Sequence, residues 1–337
     1  MHSLDFLQEK INTSFDLRED SYFNRAFLRE PNELYEPIAY AMSQGGKRIR
    51  PLLTLMGADL FQGDLDKALY PAHGVEILHN FTLLHDDIMD LSPLRRGEET
   101  VYKKFGTNAA ILSGDTMFAL AFKYILEEEF VSMSSPLEVI SIMNTLNTAS
   151  IEICQGQAMD MAFEKREDVS IEEYIEMIRL KTAVLLAAAL KMGAISSGAK
   201  KEDIDNLYSF GENIGLAFQL QDDILDCWSN LEDFGKVTGT DIADNKKTFL
   251  YLKALERANP SQKEELLNYF SSHSFDRMEK EMAVKKIYED LNIRSIAKEK
   301  MQEYHDNAMK SLEKIEIDIL RKANLIKFAE MLMVRNK

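Results

Sequence analysis

The sequence contains few of the residues that build disulfide frameworks or interrupt helices. Its two cysteines, Cys154 and Cys227, are too few for a disulfide scaffold among 337 residues and match no paired-thiol zinc spacing. We therefore expect two unreactive core thiols and a reducing, cytoplasmic location. Seven prolines and 15 glycines leave long uninterrupted segments, and no alternating apolar and polar run predicts a strand. These scarcities exclude a disulfide-rich scaffold and argue against a β-sheet protein.

Basic charge is also scarce, with 40 Lys and Arg residues against 56 Asp and Glu residues. The surface should therefore repel nucleic acid and anionic lipid, so an anionic substrate would need a local cationic site. No secretory signal is apparent in residues 1–15, because no basic start precedes an apolar run. The most apolar stretch, residues 183–199, contains Lys191 and falls short of a membrane span. We expect a buried helix there, no membrane span and no nucleic-acid partner.

The remaining sequence has helical periodicity. Apolar residues recur at helical spacing in several segments beyond residue 245 and in six earlier ones, which are residues 33–62, 64–91, 107–130, 136–166, 171–198 and 201–229. Most segments are apolar over more than one stripe, which is typical of central helices surrounded by others. No Gly, Ser or Pro-rich linker divides the chain. The sequence therefore predicts one all-α domain over residues 1–337, with about ten helices.

Helix starts can also be predicted from short patterns. The capping-box spacing, a serine followed three residues later by a glutamate, occurs three times: Ser135 with Glu138, Ser170 with Glu173, and Ser261 with Glu264. We expect a helix to begin at each of these serines.

One acidic motif occurs twice, as DDIMD at residues 86–90 and DDILD at residues 222–226. The first and last aspartates of each motif share a helix face, and like charges at this spacing destabilise a helix by roughly 0.2–0.5 kcal/mol. A neutralising cation is therefore expected, and carboxylate oxygens favour magnesium over zinc. His85 points about 100° away from Asp86 around the helix, so it is a neighbour rather than a ligand. The candidate metal ligands are Asp86, Asp87, Asp90, Asp222, Asp223 and Asp226.

A single DDxxD motif could equally be a solvated acidic end of a helix. Here each copy has cations shortly downstream, which are Arg95 and Arg96 after the first and Lys236, Lys246 and Lys247 after the second. A solvated face does not require this repeated pairing, whereas a diphosphate bound by magnesium and basic side chains does.

The run GGKRIRP at residues 45–51 places Lys47, Arg48 and Arg50 after a flexible glycine pair. Such a loop could wrap around an anion, although alone it could also be a solvated helix start. Other polar residues stand within apolar helical segments or in loops: His79, Lys181 with Thr182, Gln219 and Lys236. Taken singly, a histidine such as His79 is more often a satisfied core residue than a ligand contact.

Taken together, GGKRIRP, HDDIMDLSPLRRG, the Lys181–Thr182 pair, FQLQDDILD and FGKVTGTDIADNKKT resemble the motifs of the trans-type isoprenyl diphosphate synthases. The resemblance extends from about residue 40 to about residue 250, and no diagnostic motif is found beyond residue 255. It implies an all-α bundle around a deep central cavity, in a homodimer, with the two aspartate motifs facing each other across the cavity mouth. It also implies isoprenoid diphosphate substrates and Mg²⁺ as the cofactor, with three ions per active site when diphosphate is bound.

The resemblance also implies a role for each matching residue. Asp86, Asp90 and Asp222 would be the leading magnesium ligands, with the other three aspartates as further ligands or supports. The diphosphate of isopentenyl diphosphate would be bound by Lys47, Arg50, His79 and Arg96. The allylic diphosphate would be bound by Arg95, Lys181, Thr182, Gln219, Lys236 and Lys246. The residues expected to carry catalysis are Asp86, Asp90, Arg95, Lys181, Asp222 and Lys236.

The resemblance implies the condensation of isopentenyl diphosphate with an allylic diphosphate. The allylic carbon–oxygen bond breaks and leaves a carbocation, the isopentenyl double bond attacks this carbocation, and a proton is lost to the released diphosphate. No histidine base or nucleophilic serine is then required. Side-chain bulk at Phe81 and Thr82 would set the depth of the product cavity. Because only Phe81 is aromatic, the family pattern favours a C20 product over C15. Met117 and Phe118 on a neighbouring segment could also form the cavity floor.

Two alternative functions remain open from the sequence. A class I terpene cyclase uses the same ionisation, but its second metal motif normally mixes Asn, Ser or Thr with Glu, and this chain has a second DDxxD and a separate basic loop. A catalytically silent helical partner subunit is the other alternative, and the intact aspartates in both motifs argue against it.

Overall fold

The computed structural model describes residues 2–15, 29–229, 239–271 and 275–333. Lys236, which is a predicted ligand of the allylic diphosphate, lies outside these residues. The described parts contain seventeen α-helices, one π-helical segment and one hairpin of two short strands. The all-α prediction is confirmed.

The first half of the chain contains eight α-helices and the hairpin. The helices are α1 (Leu4–Ser14), α2 (Asn32–Ser43), α3 (Ile49–Leu60), α4 (Leu65–Met89), α5 (Val101–Phe105), α6 (Thr107–Ile125), α7 (Glu128–Ser132) and α8 (Pro136–Phe163), and the strands β1 (Leu94–Arg95) and β2 (Glu98–Glu99) lie between α4 and α5.

The second half is helical throughout its described residues. Its elements are α9 (Ile171–Ile178), the π-helical segment (Arg179–Ala183), α10 (Val184–Ser196), α11 (Lys201–Trp228), α12 (Thr240–Ala243), α13 (Phe249–Arg257), α14 (Pro260–Ser271), α15 (Arg277–Asp290), α16 (Ile293–Glu313) and α17 (Ile319–Met333).

Two of the three predicted capping boxes form. Ser170 and Glu173 bond reciprocally at the start of α9, and Ser135 and Glu138 do so at the start of α8. The prediction at Ser261 is wrong, because α14 begins one residue earlier, at Pro260. Proline is suited to the first helical position, so Asn259 becomes the cap and forms the box with Gln262.

Three other local predictions need correction. The segment predicted at 33–62 is two helices, because Gly45, Gly46 and Arg48 adopt positive φ angles and break it. A hairpin forms where no strand was expected, with Arg96 and Gly97 at positive φ in its two-residue turn. Cys154 is exposed rather than a core thiol, whereas Cys227 is buried.

The chain folds into two compact units. Unit 1 takes its described residues from Met1–Ser150, Ala188–Tyr208 and Ile317–Asn324. Within it, α4 packs against α3 and α6. The core side chains of α3 and α4 include Leu53, Leu55, Ile77 and Leu78, all at most 1% exposed, and burying each contributes roughly 1.5–3 kcal/mol.

Unit 2 takes its described residues from Ile151–Ala187, Ser209–Glu316 and Leu325–Lys337. Its core contains side chains of α9, α11, α13, α14, α15 and α16, among them Leu220, Leu266 and Val284, which are fully buried. The single domain over residues 1–337 stays a prediction.

One helical stretch of the described chain, Thr107–Ser132, has the length and composition of a membrane span, with a mean hydropathy of 1.4. Core helices of water-soluble proteins share both properties, so this is weak evidence for a membrane span. Residues 184–196, within the stretch that was predicted as a buried helix, do form one, α10.

Candidate active site

The first acidic motif lies at the end of α4, in unit 1. Asp87 is 3% exposed, and Arg95 from β1 holds its carboxylate with two nitrogens: Nε lies 2.8 and 2.9 Å from the two oxygens, and Nη2 lies 2.7 Å from Oδ1. The hairpin therefore brings Arg95 back to the motif that precedes it in sequence. Asp86 is half-buried and Asp90 is exposed at the C-terminal end of the helix.

Unit 1 also brings together Arg50 of α3, His79 of α4 and Arg96 of the hairpin. Burial lowers the pKa of Arg50 to about 10, and its Nε is buried without a hydrogen-bond partner among the described residues. Burial, then Arg50 and Arg96, lower the pKa of His79 well below its usual value, so the ring is neutral at pH 7. Partial burial lowers the pKa of Arg96 as well.

Among the described residues, no carboxylate forms an ion pair with Arg50 or Arg96, and the neighbouring buried acid Glu76 is already engaged. The Glu76 side chain, 2% exposed, accepts a hydrogen bond from Arg48 Nη1 at 2.7 Å and one from Asn80 Nδ2 at 3.2 Å. The cluster of Arg50, His79 and Arg96, which we call the unit 1 cationic cluster, therefore carries excess positive charge. A buried donor without an acceptor and an excess of cations are the properties of an anion site.

The three cations of GGKRIRP have different environments. Lys47 is exposed on the loop between α2 and α3. Arg48 is buried, because its guanidinium donates to Glu76 and to the Met42 carbonyl at 2.7 Å each and lies over the Phe15 ring. Arg48 therefore fixes the loop rather than presenting charge to a ligand, while Arg50 contributes to the cationic cluster.

In unit 2, Lys181 and Thr182 lie in the π-helical segment between α9 and α10. Gly156 of α8 packs directly on this segment: a Cβ at Gly156 would lie 2.4 Å from the Lys181 backbone nitrogen. This close approach places the Lys181 Nζ 2.6 Å from the Asp160 carboxylate, one turn further along α8. A π-bulge inside a helix is frequent at functional sites.

A chain of hydrogen bonds joins Thr182 to the second acidic motif. Thr182 Oγ1 donates to Gln219 Oε1 at 3.3 Å, and Gln219 Nε2 donates to Asp223 Oδ1 at 3.4 Å. The Tyr174 hydroxyl donates to Asp223 Oδ2 at 2.5 Å. Burial, then the charge of Asp241, raises the pKa of Asp223 well above its usual value.

Asp226 organises the chain that follows the motif. Its carboxylate accepts hydrogen bonds from the Thr240 amide at 3.2 Å, the Thr240 hydroxyl at 2.6 Å and the Asp241 amide at 3.0 Å. Asp226 thereby caps α12 and holds Asp241 nearby. Burial, then the Asp226 charge, raises the pKa of Asp241 to about 7. Asp222 is half-buried on α11.

These side chains surround a pocket of about 160 Å³ within unit 2. Its charged and polar lining includes four acids, three lysines and the hydrogen-bonded pair of Thr182 and Gln219: Asp160, Glu164, Asp223, Asp241, Lys181, Lys246, Lys247, Thr182 and Gln219. Lys246 Nζ lies 3.0 Å from the Glu164 carboxylate. Acids outnumber cations here, which is the reverse of the unit 1 cationic cluster.

The predicted chain-length residues all lie on α4 and α6 of unit 1. The Phe81 and Phe118 rings pack edge to face with their centres 5.4 Å apart, and Phe81 also contacts the His85 ring. Met117 is fully buried, and the Thr82 hydroxyl donates to the His79 carbonyl at 2.8 Å. The structure thus brings Phe81 and Phe118 together, while Thr82 is tied to its own helix.

Four residues that shape these sites were missed in the sequence. Asp241 stands within the quoted motif FGKVTGTDIADNKKT, whereas Asp160 is identified only by its contact with Lys181 in the fold. Tyr174 and Glu76 have no local signal, because only the tertiary fold places Tyr174 against Asp223 and Glu76 against Arg48.

Comparison with known proteins gives a consistent result. The polyprenyl synthetase family model matches residues 31–291. A short chain isoprenyl diphosphate synthase of Methanothermobacter thermautotrophicus is 42% identical over 242 residues, covering 72% of this chain and 73% of the relative. A geranylgeranyl pyrophosphate synthase of Geoglobus acetivorans is 38% identical over 311 residues, covering 91% of this chain and 92% of the relative.

Solved structures agree with the sequence relatives. A geranylgeranyl pyrophosphate synthase crystal structure superimposes with a TM-score of 0.90 at 37% identity, covering 100% of both chains. A geranylgeranyl pyrophosphate synthetase from Pyrococcus horikoshii gives a TM-score of 0.88 at 32% identity, covering 98% of both chains.

The chain belongs to the polyprenyl synthetase family. The predicted family, the all-α isoprenoid synthase fold and the short-chain prenyltransferase activity are confirmed, and the substrates are isoprenoid diphosphates. The comparisons give no support to the terpene cyclase or to the silent partner subunit.

Proposed function

We propose that this prenyltransferase uses Mg²⁺ to condense isopentenyl diphosphate with an allylic diphosphate and that its main product is C20. The proposal rests on the charges of two sites: the unit 1 cationic cluster has an excess of positive charge, and the unit 2 pocket has an excess of acidic side chains. The arginines of the unit 1 cationic cluster have no ion-pair partner among the described residues, and acids outnumber lysines in the unit 2 pocket. A diphosphate anion relieves the first, and divalent cations that carry a diphosphate relieve the second.

The donor set of the unit 2 pocket fits magnesium. Its donors are carboxylate oxygens, and burial, then the charge of a neighbouring aspartate, raises the pKa values of Asp223 and Asp241. Among the described residues, no three acidic, His or Cys side chains converge to complete a metal shell. Carboxylate donors suit magnesium, which retains waters and takes phosphate oxygens from its substrate.

The six motif aspartates divide into two groups. The carboxylates of Asp87, Asp223 and Asp226 are buried and accept hydrogen bonds from protein donors. We therefore propose that these three residues support the metal site rather than act as its leading ligands. We propose Asp86, Asp90 and Asp222, which are more exposed, as the leading magnesium ligands. The number of ions, three with diphosphate bound, is part of the same proposal.

Bound magnesium supplies electrostatic stabilisation of the negative charge that develops on the departing diphosphate. The residues of the chain bind and orient the substrates around this centre. Lys181 and Lys246 neutralise the allylic diphosphate, and Arg95 and Lys236 are proposed to assist them. The Thr182 hydroxyl and the Gln219 amide oxygen present dipoles that stabilise the allylic carbocation once the carbon–oxygen bond breaks.

The second substrate is proposed to bind at the unit 1 cationic cluster. Arg50, Arg96 and the exposed Lys47 hold the diphosphate of isopentenyl diphosphate, and the neutral His79 donates or accepts a hydrogen bond beside them. The isopentenyl double bond attacks the carbocation, and the released diphosphate takes the proton that is lost. No protein base is required.

A C20 product is supported by the contact between Phe81 and Phe118 and by the names of several relatives. Thr82, one residue beyond Phe81, is small and bonded to its own helix, so it blocks less volume than an aromatic would. Similar proteins from Geoglobus acetivorans and Methanosarcina mazei are named as geranylgeranyl synthases. One from Natronomonas pharaonis is named as a geranylfarnesyl synthase.

We also propose a homodimer in a reducing cytoplasm. Apolar side chains are exposed on α6 and α8, including Ile111, Leu112, Leu137 and Ile140, which are 40 to 76% exposed. A second copy of the chain would cover such a surface. The two free cysteines suit a reducing compartment, and the acidic surface argues against a nucleic-acid partner.

The test is incorporation of labelled isopentenyl diphosphate by the purified chain, with dimethylallyl, geranyl and farnesyl diphosphates supplied in turn. Chromatography of the dephosphorylated alcohols should show a dominant C20 product from each. Hydrocarbon released without isopentenyl diphosphate would indicate a cyclase, and the absence of any turnover would indicate a silent subunit. Products that continue well beyond C20 would overturn the assignment of chain length.

A further inference from the structure

The segment that carries Asp241 and Lys246 has little regular structure of its own. This segment, residues 239–246, contains only the four-residue α12, and Asn245 near its end has a φ of +59°. The carboxylate of Asp226 holds its start, and the Lys246 amide bonds back to the Asp241 carbonyl at 2.8 Å. The position of Lys246 therefore depends on what holds the end of the segment.

Lys280 of α15 holds that end. Lys280 is 4% exposed, and its ammonium group donates to the Ala243 carbonyl at 3.3 Å and to the Asn245 side-chain oxygen. The same group lies 5.1 Å from the centre of the Phe270 ring. A buried ammonium group is costly unless it is bonded, and here it bonds the carbonyl of the last residue of α12, Ala243.

The residue next to Lys280 supports the start of the segment. Glu281 packs against Gly239, where a Cβ would lie 2.5 Å from the carboxylate carbon, and Arg277 holds Glu281 at 2.7 Å. The helix α15 thus contacts both ends of residues 239–246. No motif recognised in the sequence includes α15, which lies beyond residue 255.

We propose that Lys280 is a positioning residue that fixes residues 239–246 so that Lys246 and Asp241 line the diphosphate pocket. The inference rests on the proposed function for the identity of the ligand. Without Lys280, the Asn245 side chain and the Ala243 carbonyl both lose a hydrogen bond to α15, and the adjacent Lys246 is held less firmly at the pocket.

The test compares Lys280→Met with Lys280→Arg and with the control Lys286→Met. Lys286 lies on the same helix but is 74% exposed and pairs locally with Asp290. Lys280→Met should raise KM for the allylic diphosphate about tenfold, the effect of losing a charge-assisted hydrogen bond, and leave KM for isopentenyl diphosphate unchanged. Lys280→Arg should restore most of the affinity, and the control should behave as wild type.

The single tryptophan, Trp228, contacts Tyr288 of α15, so its fluorescence reports whether this part of unit 2 stays folded. If Lys280→Met does not fold, Asn245→Gly removes the side-chain bond from the other side, tolerates the left-handed backbone, and should give the same selective rise in KM. An equal rise in both KM values, no rise in either variant, or no rescue by arginine would overturn the proposal.

The failure of the proposed function would be distinguishable from the failure of this inference. If the wild-type chain does not incorporate isopentenyl diphosphate, the activity assignment fails. Calorimetric titration with inorganic pyrophosphate and Mg²⁺ then still reads out the pocket, and Lys280→Met should bind about tenfold more weakly than wild type and Lys286→Met. Equal binding by all three proteins would refute the positioning role.

Discussion

Replacing Arg50 by methionine should stabilise the ligand-free protein while weakening its binding of isopentenyl diphosphate. Burial lowers the pKa of Arg50 from 12.5 to about 10, and each pKa unit corresponds to about 1.4 kcal/mol, so the folded state carries about 3 kcal/mol of unfavourable free energy for this charge. This penalty applies at every pH below about 10. Because the side chain is half-buried, we expect methionine to recover about 1–2 kcal/mol.

The assay is urea unfolding at pH 7 without ligand, combined with steady-state kinetics. Lys47→Met is the matched control, because Lys47 is exposed on the adjacent loop and its loss should change the free energy of unfolding by less than about 0.5 kcal/mol. Both variants should raise KM for isopentenyl diphosphate. If Arg50→Met is less stable than the wild type, the guanidinium is satisfied within the protein, and the cluster is not an anion site.

Three further predictions concern product length, the pH dependence of stability and the packing of Gly156 against Lys181. Phe81→Ala should lengthen the product by at least one C5 unit, because it removes the ring that meets the neighbouring helix; an unaltered alcohol profile would exclude this role. Burial, then the charge of Arg48, lowers the pKa of His73 to about 3. Between pH 6.5 and pH 3 the histidine is therefore protonated in the unfolded state and neutral in the folded state. The free energy of unfolding should decrease as the pH is lowered, by about 2 kcal/mol at pH 5. His73→Phe should remove that dependence in urea unfolding at pH 7 and pH 5, and an unchanged slope would refute the cause. Gly156→Ala should cost about 1–3 kcal/mol and raise KM for the allylic diphosphate, because its Cβ would displace the backbone at Lys181; a fully stable, fully active variant would show that the close approach is not needed.

The features that could be predicted are those with local causes. The two DDxxD motifs, the basic run at 45–51 and the capping boxes at Ser135 and Ser170 are each specified within a few residues. The capping prediction at Ser261 failed for an equally local reason, because proline at position 260 takes the first helical position and moves the cap back to Asn259.

The environment of each charge could not be predicted, because it depends on the tertiary fold. Lys47, Arg48 and Arg50 look alike in sequence, yet their environments differ. Lys47 is exposed, Arg48 is paired with buried Glu76, and Arg50 has a buried donor for which the described part of the chain provides no acceptor. The support of Asp223 by Tyr174 likewise joins residues 49 positions apart.

Lys280 shows the same limit beyond the recognisable motifs. A lysine in a helix rich in charged residues has the appearance of a solvated side chain. Only the packing of α12 against α15 buries it and directs its ammonium group to the Ala243 carbonyl.

The most direct test of the account is the magnesium dependence of isopentenyl diphosphate incorporation in wild type, Asp222→Asn and the control Asp205→Asn. Asp205 lies on the same helix but is exposed and paired with Lys201. Chelation of the metal should abolish incorporation, and Asp222→Asn should lower kcat roughly 10²–10³-fold and require more Mg²⁺, while the control behaves as wild type. Full activity of wild type after chelation, or of Asp222→Asn at wild-type Mg²⁺ concentrations, would contradict the account.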